Sequence, residues 1–216
     1  MARNAFPDFG LTEAERREAV LGHYYEYPGM DGARGEIWCY SDRFSYFPGD
    51  EVTLFISSTA DICDVDVIRD GGIETHVETL SGIVTTWQDT PDQCSVEGCG
   101  WQPAHRFTIP ADWVSGAYRL TLKATGKDGA PITSHHLFVL CPATQTAPGD
   151  RKGRLLQIAA TGTWTAYNTW GGSNHYQGIT GPNRNQYATR VSTQRPWCRG
   201  FVVLPEGAPR VPLEIE

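Results

Sequence analysis

Between residues 36 and 140 the chain is a succession of short apolar-alternating runs cut by turn signals, and that texture confines it to an antiparallel β architecture. Runs at 36–40, 51–57, 65–69, 105–109, 117–124 and 135–140 read as strands. Between them stand Phe47-Pro48-Gly49-Asp50, Asp70-Gly71-Gly72, Pro110-Ala111-Asp112-Trp113 and Gly126-Lys127-Asp128-Gly129. In such clusters Pro presets φ, while Gly and Asp tolerate left-handed backbone. Helical periodicity is almost absent there. The expected fold is mainly β, an antiparallel β-sandwich of immunoglobulin-like or jelly-roll-like kind.

The flanks differ in texture. Thr12 stands three residues before Glu15, a capping-box pattern, so residues 1–35 are expected to form a helix and an arm. The sandwich is placed at 36–142 and a Pro- and Gly-bearing linker at 143–153. Beyond it, residues 154–216 offer two expected strands, 154–160 and 200–204, with loop between them. A segment of that texture buries too little apolar surface to offset its ordering entropy. It is therefore expected to complete a domain built mostly by a partner chain.

Composition excludes several classes of function. Of 216 residues, 18 are basic and 25 acidic, for a net charge of -7, and the basic residues form no long run. That argues against nucleic acid or an anionic membrane surface as a partner. No apolar run approaches the roughly 20 residues that span a bilayer. The first 30 residues lack an apolar signal region, so a cytoplasmic location is expected. The six cysteines then read as thiols rather than bridges. Cys94, Cys99 and His105 match no common zinc spacing, and a closed zinc site needs four ligands, so small buried thiols are the better reading.

Residues 164–176, Trp-Thr-Ala-Tyr-Asn-Thr-Trp-Gly-Gly-Ser-Asn-His-Tyr, stand apart from all of this. A core strand would be aliphatic and a surface loop charged. This run concentrates two Trp, two Tyr, two Asn, a His and a glycine pair, side chains with apolar bodies and polar tips on a backbone able to approach a ligand closely. It reads as part of a site.

With those residues in view, the chain resembles the large, β-type subunit of N,N-dimethylformamidase and the family that shares its C-terminal region. The segments that carry the resemblance are Trp87-Gln88-Asp89-Thr90-Pro91, residues 94–101, Ala104-His105-Arg106-Phe107, Arg195-Pro196-Trp197 and above all residues 159–176. The resemblance implies an amide hydrolase with a mononuclear ferric ion, Fe(III), held by two tyrosine phenolates and a glutamate. By position in the motif, Tyr167 and Tyr176 are the implied phenolates. A phenol of pKa about 10 becomes a good ligand beside a hard, highly charged ion. The resemblance also makes residues 154–216 the first part of an α/β catalytic domain, with the carboxylate ligand and the rest of that domain in a second subunit of a hetero-oligomer. The family's large subunits continue through that whole domain, a departure here, and the nine-residue spacing of the two tyrosines is a second one.

The remaining candidates have functional and plain readings side by side. His175, Asn168 and Asn174 are candidate catalytic groups, as base or donor to a substrate carbonyl or water; each is equally what a glycine-rich turn contains. Trp164, Trp170 and Ser173 are candidate substrate contacts, the rings walling an apolar pocket, or else packing between sandwich and catalytic domain. Tyr167 itself is a metal ligand or a core tyrosine whose hydroxyl caps a carbonyl. Arg195 anchors a carboxylate across an interface or sits in a solvated loop. His135 and His136 point to opposite faces of a strand and are structural. Two functions follow: a subunit of an iron-dependent amidohydrolase acting on a non-peptide C–N bond of a small-molecule amide, or a non-catalytic β-sandwich accessory subunit.

Overall fold

The computed structural model describes residues 35–142, 158–176, 188–198 and 200–203. The strands are β1 (Ile37–Ser41), β2 (Ser45–Tyr46), β3 (Glu51–Ser58), β4 (Ile62–Asp70), β5 (Thr75–Val84), β6 (His105–Thr108), β7 (Gly116–Thr125) and β8 (Pro131–Leu140). Two short helices, α1 (Cys94–Glu97) and α2 (Thr161–Tyr167), lie outside the sheets. One sheet has the order β1-β3-β6 and the other β2-β8-β7-β4-β5. All pairings are antiparallel except the two-residue β2, which runs parallel to β8. The chain thus changes sheets between β1 and β2, as sandwich strands do at corners.

Alternation builds the core. Val52, Leu54 and Ile56 of β3 face Cys63, Val65 and Val67 of β4 and Tyr118, Leu120 and Leu122 of β7, all buried in one cluster. The Phe47 to Asp50 turn forms as its residues dictate: the Asp50 N–H donates to the Phe47 carbonyl at 3.0 Å, and Gly49 takes φ +89. In β8, His136 points inward and is fully buried, 2.7 Å from the Ser41 hydroxyl, while His135 points outward and is half-buried. Burial pushes the His136 pKa down to about 3, so the imidazole is neutral.

Three sequence expectations are corrected. β5 follows the Asp70-Gly71-Gly72 turn and was not expected as a strand; it is an edge strand, mostly exposed, whose apolar alternation is too weak to read. Of the strand expected at 154–160, residues 158–160 have no strand pairing and lead into α2; 154–157 lie outside the described residues. Of the strand expected at 200–204, residues 200–203 turn instead, with Gly200 at φ +83 and the Phe201 N–H on the Cys198 carbonyl at 3.1 Å. A left-handed residue there breaks the extended path. The expected N-terminal helix and the 143–153 linker lie outside the described residues.

β1 positions the site. All five of its residues are buried, an unusual pattern for a strand of a two-layer sandwich. Ile37 and Cys39 enter the main core, while Trp38 and Tyr40 face away from it into a second cluster with Cys94, Cys99, Trp101, Trp170 and Cys198. A strand buried on both faces reads as a continuous apolar run, and here Ile-Trp-Cys-Tyr has the C-terminal segment packed on its outer side.

Candidate functional site

The motif folds as a helix, a tight glycine turn and a return. In α2 the Trp164 N–H bonds the Ala160 carbonyl and the Asn168 N–H the Trp164 carbonyl, each at 3.0 Å. The helix stops at Asn168, whose ψ of 113° is extended. Gly171 and Gly172 then take φ +84 and +98, which only glycine adopts without strain. The His175 N–H returns to the Ala166 carbonyl at 3.1 Å. The consequence is that Tyr176 comes back beside Tyr167, their ring centroids 4.4 Å apart and stacked at 23°.

One face of this fold is spent on docking. Trp170 is fully buried and meets Trp38 and Trp101 edge-on, at 5.7 and 5.9 Å. Burying such a ring removes roughly 150–250 Å² from water, or about 4–6 kcal/mol before ordering costs. The glycine turn approaches α1 rather than a ligand: a Cβ on Gly171 would sit 2.5 Å from Cys94 Sγ. The Ser173 and Ser95 hydroxyls share a hydrogen bond at 2.7 Å. Asn168 donates to the Pro196 carbonyl at 2.8 Å and accepts the Trp170 and Cys198 N–H groups at 3.2 Å each. Trp197 stacks between Phe44 and Phe201.

Arg195 does not sit in a solvated loop. Its side chain is buried and donates to four backbone carbonyls: Ser192 at 3.0 Å, Ser173 at 3.1 Å, Thr165 at 3.4 Å, and Trp170. It thus ties α2, the glycine turn and its own loop into one unit. Its charge also acts on the buried thiols. A hydrogen bond from Cys99 and then the guanidinium hold the Cys94 thiol below its ordinary pKa, while burial drives that of Cys99 far up. All six cysteines are free thiols.

The other face is open. Tyr176 is 53% exposed, Tyr167 is half-buried, and Trp164, one helical turn before Tyr167, is half-buried too. His175 is half-buried, its Nδ1 2.7 Å from the Ala188 carbonyl. A carbonyl only accepts, so Nδ1 carries the hydrogen, and in the neutral ring Nε2 keeps the basic lone pair. Asn174 is buried between the tyrosines' backbones, donating to the Tyr167 carbonyl at 3.0 Å and accepting the Tyr176 N–H at 2.7 Å.

The candidates therefore divide. Tyr167, Tyr176, His175, Asn174 and Trp164 belong to the open side or support it, whereas Asn168, Trp170 and Ser173 lie in the seam with the sandwich. Sequence reasoning had not singled out Ser95, Trp38 or Tyr40 as the motif's seat. The unbroken apolar run of β1 was the available signal. Among the described residues no group of three or more His, Cys, Asp or Glu is placed to hold a metal. The donors at hand are the two phenols, hard oxygens suited to two positions of a hard trivalent ion.

Fold and site together define a class: a β-sandwich protein with a C-terminal segment docked on its smaller sheet and a paired-tyrosine face turned outward. A family model described as N,N-dimethylformamidase beta subunit-like, C-terminal, matches residues 69–210, and the chain belongs to that family. The matched span includes the whole motif and Arg195. No curated protein sequence matches the chain. Among solved structures it is similar to Spo0M, the sporulation control protein from Bacillus subtilis, at 13% identity and a TM-score of 0.31, over 49% of each chain. It is also similar to murine CRIg, at 9% identity and a TM-score of 0.33, over 49% of this chain and 97% of that one. The match to Spo0M thus spans about half of that protein's length. No helix among the described residues is long and apolar enough to cross a membrane.

Proposed function

We propose that this chain is the tyrosine-bearing subunit of an iron-dependent amidohydrolase that cleaves a non-peptide C–N bond of a small-molecule amide. The observation that carries the reading is the stacked pair Tyr167 and Tyr176 on the open face of the motif. A mononuclear ferric ion would take these two phenolates, with a carboxylate from a partner subunit as a further ligand. Held there, such an ion supplies Lewis acidity toward an amide carbonyl and toward water.

The chain's own residues have distinct tasks in this reading. The phenolates of Tyr167 and Tyr176 bring two negative charges to one point, which selects a highly charged cation over a softer one. His175, fixed through Nδ1–H on Ala188, offers Nε2 as a proton acceptor from water and donor to the leaving amine. Trp164 supplies an apolar wall for small N-substituents beside Tyr167. Trp170, Ser173 and Asn168 act by seating the motif rather than by touching substrate.

The test is metal analysis and amide turnover of the chain produced with its neighbouring reading frame. Tyr167→Phe removes one hydroxyl and is expected to abolish iron retention and turnover while leaving the assembly intact. Full turnover in that variant would refute the assignment. A second reading, a non-catalytic accessory subunit, is favoured by one observation: Ile158, just ahead of α2, is a large apolar side chain left 84% exposed, a contact point suited to a partner. On that reading Ile158→Asp dissociates the complex, and Tyr167→Phe leaves metal and turnover unchanged.

A further inference from the structure

We infer that Asn174 is a positioning residue that sets the separation of the two phenols, because one side chain holds the backbones of both tyrosines. The inference rests on the metal role proposed above for Tyr167 and Tyr176. It assigns to Asn174 a task different from contact with substrate or water.

The geometry is direct. Asn174 Nδ2 donates to the Tyr167 carbonyl at 3.0 Å, and Oδ1 accepts from the Tyr176 N–H at 2.7 Å. Its residue is 1% exposed, so the amide is locked away from water. The nearby bond from the His175 N–H to the Ala166 carbonyl, whose peptide unit also carries the Tyr167 N–H, aligns helix and return one residue earlier on each side. Asn168 provides the contrast. It is the same residue type, equally buried in the same motif, and its three bonds go to Pro196, Trp170 and Cys198. One asparagine seats the motif on the sandwich; the other gauges the distance between the phenols. A ligand pair carried on a turn needs such support, since removing groups that orient metal ligands typically weakens metal binding about 10–100-fold.

Two readouts test this, one of them independent of metal. Under a ruthenium photosensitiser with persulfate, two adjacent phenols each lose an electron to the oxidant and a proton to solvent, and their ortho carbons join as dityrosine. In the full chain, mapped by mass spectrometry, Tyr167 and Tyr176 are expected to cross-link. The yield should fall about tenfold in Asn174→Ala, whose phenols no longer meet by design of the backbone. Ser95→Ala, which removes a buried hydrogen bond from the same motif but not from the tyrosines, should keep the cross-link. Asn174→Asp keeps the acceptor for Tyr176 and loses the donor to Tyr167, so it should fall between the two and serves if the alanine variant does not fold. The second readout is iron retention in the chain with its partner, expected to weaken about 10–100-fold in Asn174→Ala. An undiminished cross-link or undiminished iron retention in a folded Asn174→Ala overturns the inference. A cross-link pattern as expected, with no iron in the unsubstituted protein, would remove the metal role and leave the clamp standing.

Discussion

The middle of the segment 167–176 and its two ends look alike as sequence and behave differently as structure. The middle, from Asn168 to Asn174, is buried throughout, and its polar side chains bond backbone, the Ser95 hydroxyl of α1 or the Cys198 thiol. The ends, Tyr167 and Tyr176, meet each other on the side away from the sandwich. Aromatic and amide side chains in one run therefore do two kinds of work. The middle buys rigidity at the seam with β1 and α1, and the ends present phenols whose spacing that rigidity maintains.

The largest effect that can sharpen this contrast lies at Arg195. Arg195→Met keeps the volume and removes the donors to four carbonyls. Each buried carbonyl left without a donor costs about 1–3 kcal/mol, and some will regain water, so a loss of about 3–5 kcal/mol is expected. Hydrogen exchange should show the amides of Asn168, Gly172 and His175 deprotected while those of β7 and β8 keep their protection. Equal deprotection of both would mean that motif and sandwich are one cooperative unit.

Next in size is Gly171→Ala. The left-handed backbone costs an L-residue about 1–2 kcal/mol, and the clash with Cys94 Sγ adds about 1–3 kcal/mol. Chemical denaturation should show most of the second part recovered when Cys94→Ala is combined with it, because the atom in the way is then gone. No recovery would place the strain elsewhere in the turn.

Acid tests the sandwich side of the comparison. His136 has a folded pKa of about 3 against about 6.5 unfolded, so between those values the unfolded chain binds more protons and stability falls as pH falls. The slope from this group is about 1.4 kcal/mol per pH unit in that window and vanishes above it. His136→Gln should flatten the stability profile between pH 4 and pH 6, conditions set by the roughly 3.5-unit window. An unchanged profile would mean that His136 is not the group being titrated.

The smallest expected effect is on the open face. Tyr176→Phe should change stability by no more than about 0.5 kcal/mol, since its ring is half in water and its stacking is retained. A loss of several kcal/mol would break the division between a seam that stabilises and ends that do not.

Much of the sandwich was legible because its inner faces alternate: 51–57 and 117–124 were read within a residue or two of β3 and β7. β5 was not legible, since an exposed edge strand such as Thr75-His76-Val77-Glu78-Thr79 buries little on either face. The motif was identifiable by composition, but the division of labour within it was not. Nothing local distinguishes Asn168 from Asn174; only the turn at Gly171 and Gly172 sends one toward Pro196 and the other between the tyrosines. The burial of Arg195 was not legible either, as three of its four carbonyl partners lie 22 to 30 residues away in sequence and no local pattern encodes the packing around it.

The most direct test of the central claim is the visible absorption spectrum of the chain purified with its partner subunit. Phenolate on ferric iron gives a charge-transfer band that zinc or an empty site cannot produce. The account predicts a coloured complex whose band disappears in Tyr167→Phe and Tyr176→Phe and survives in Ser95→Ala. A colourless, iron-free complex that hydrolyses its amide at full rate would contradict it and reduce the tyrosine pair to packing.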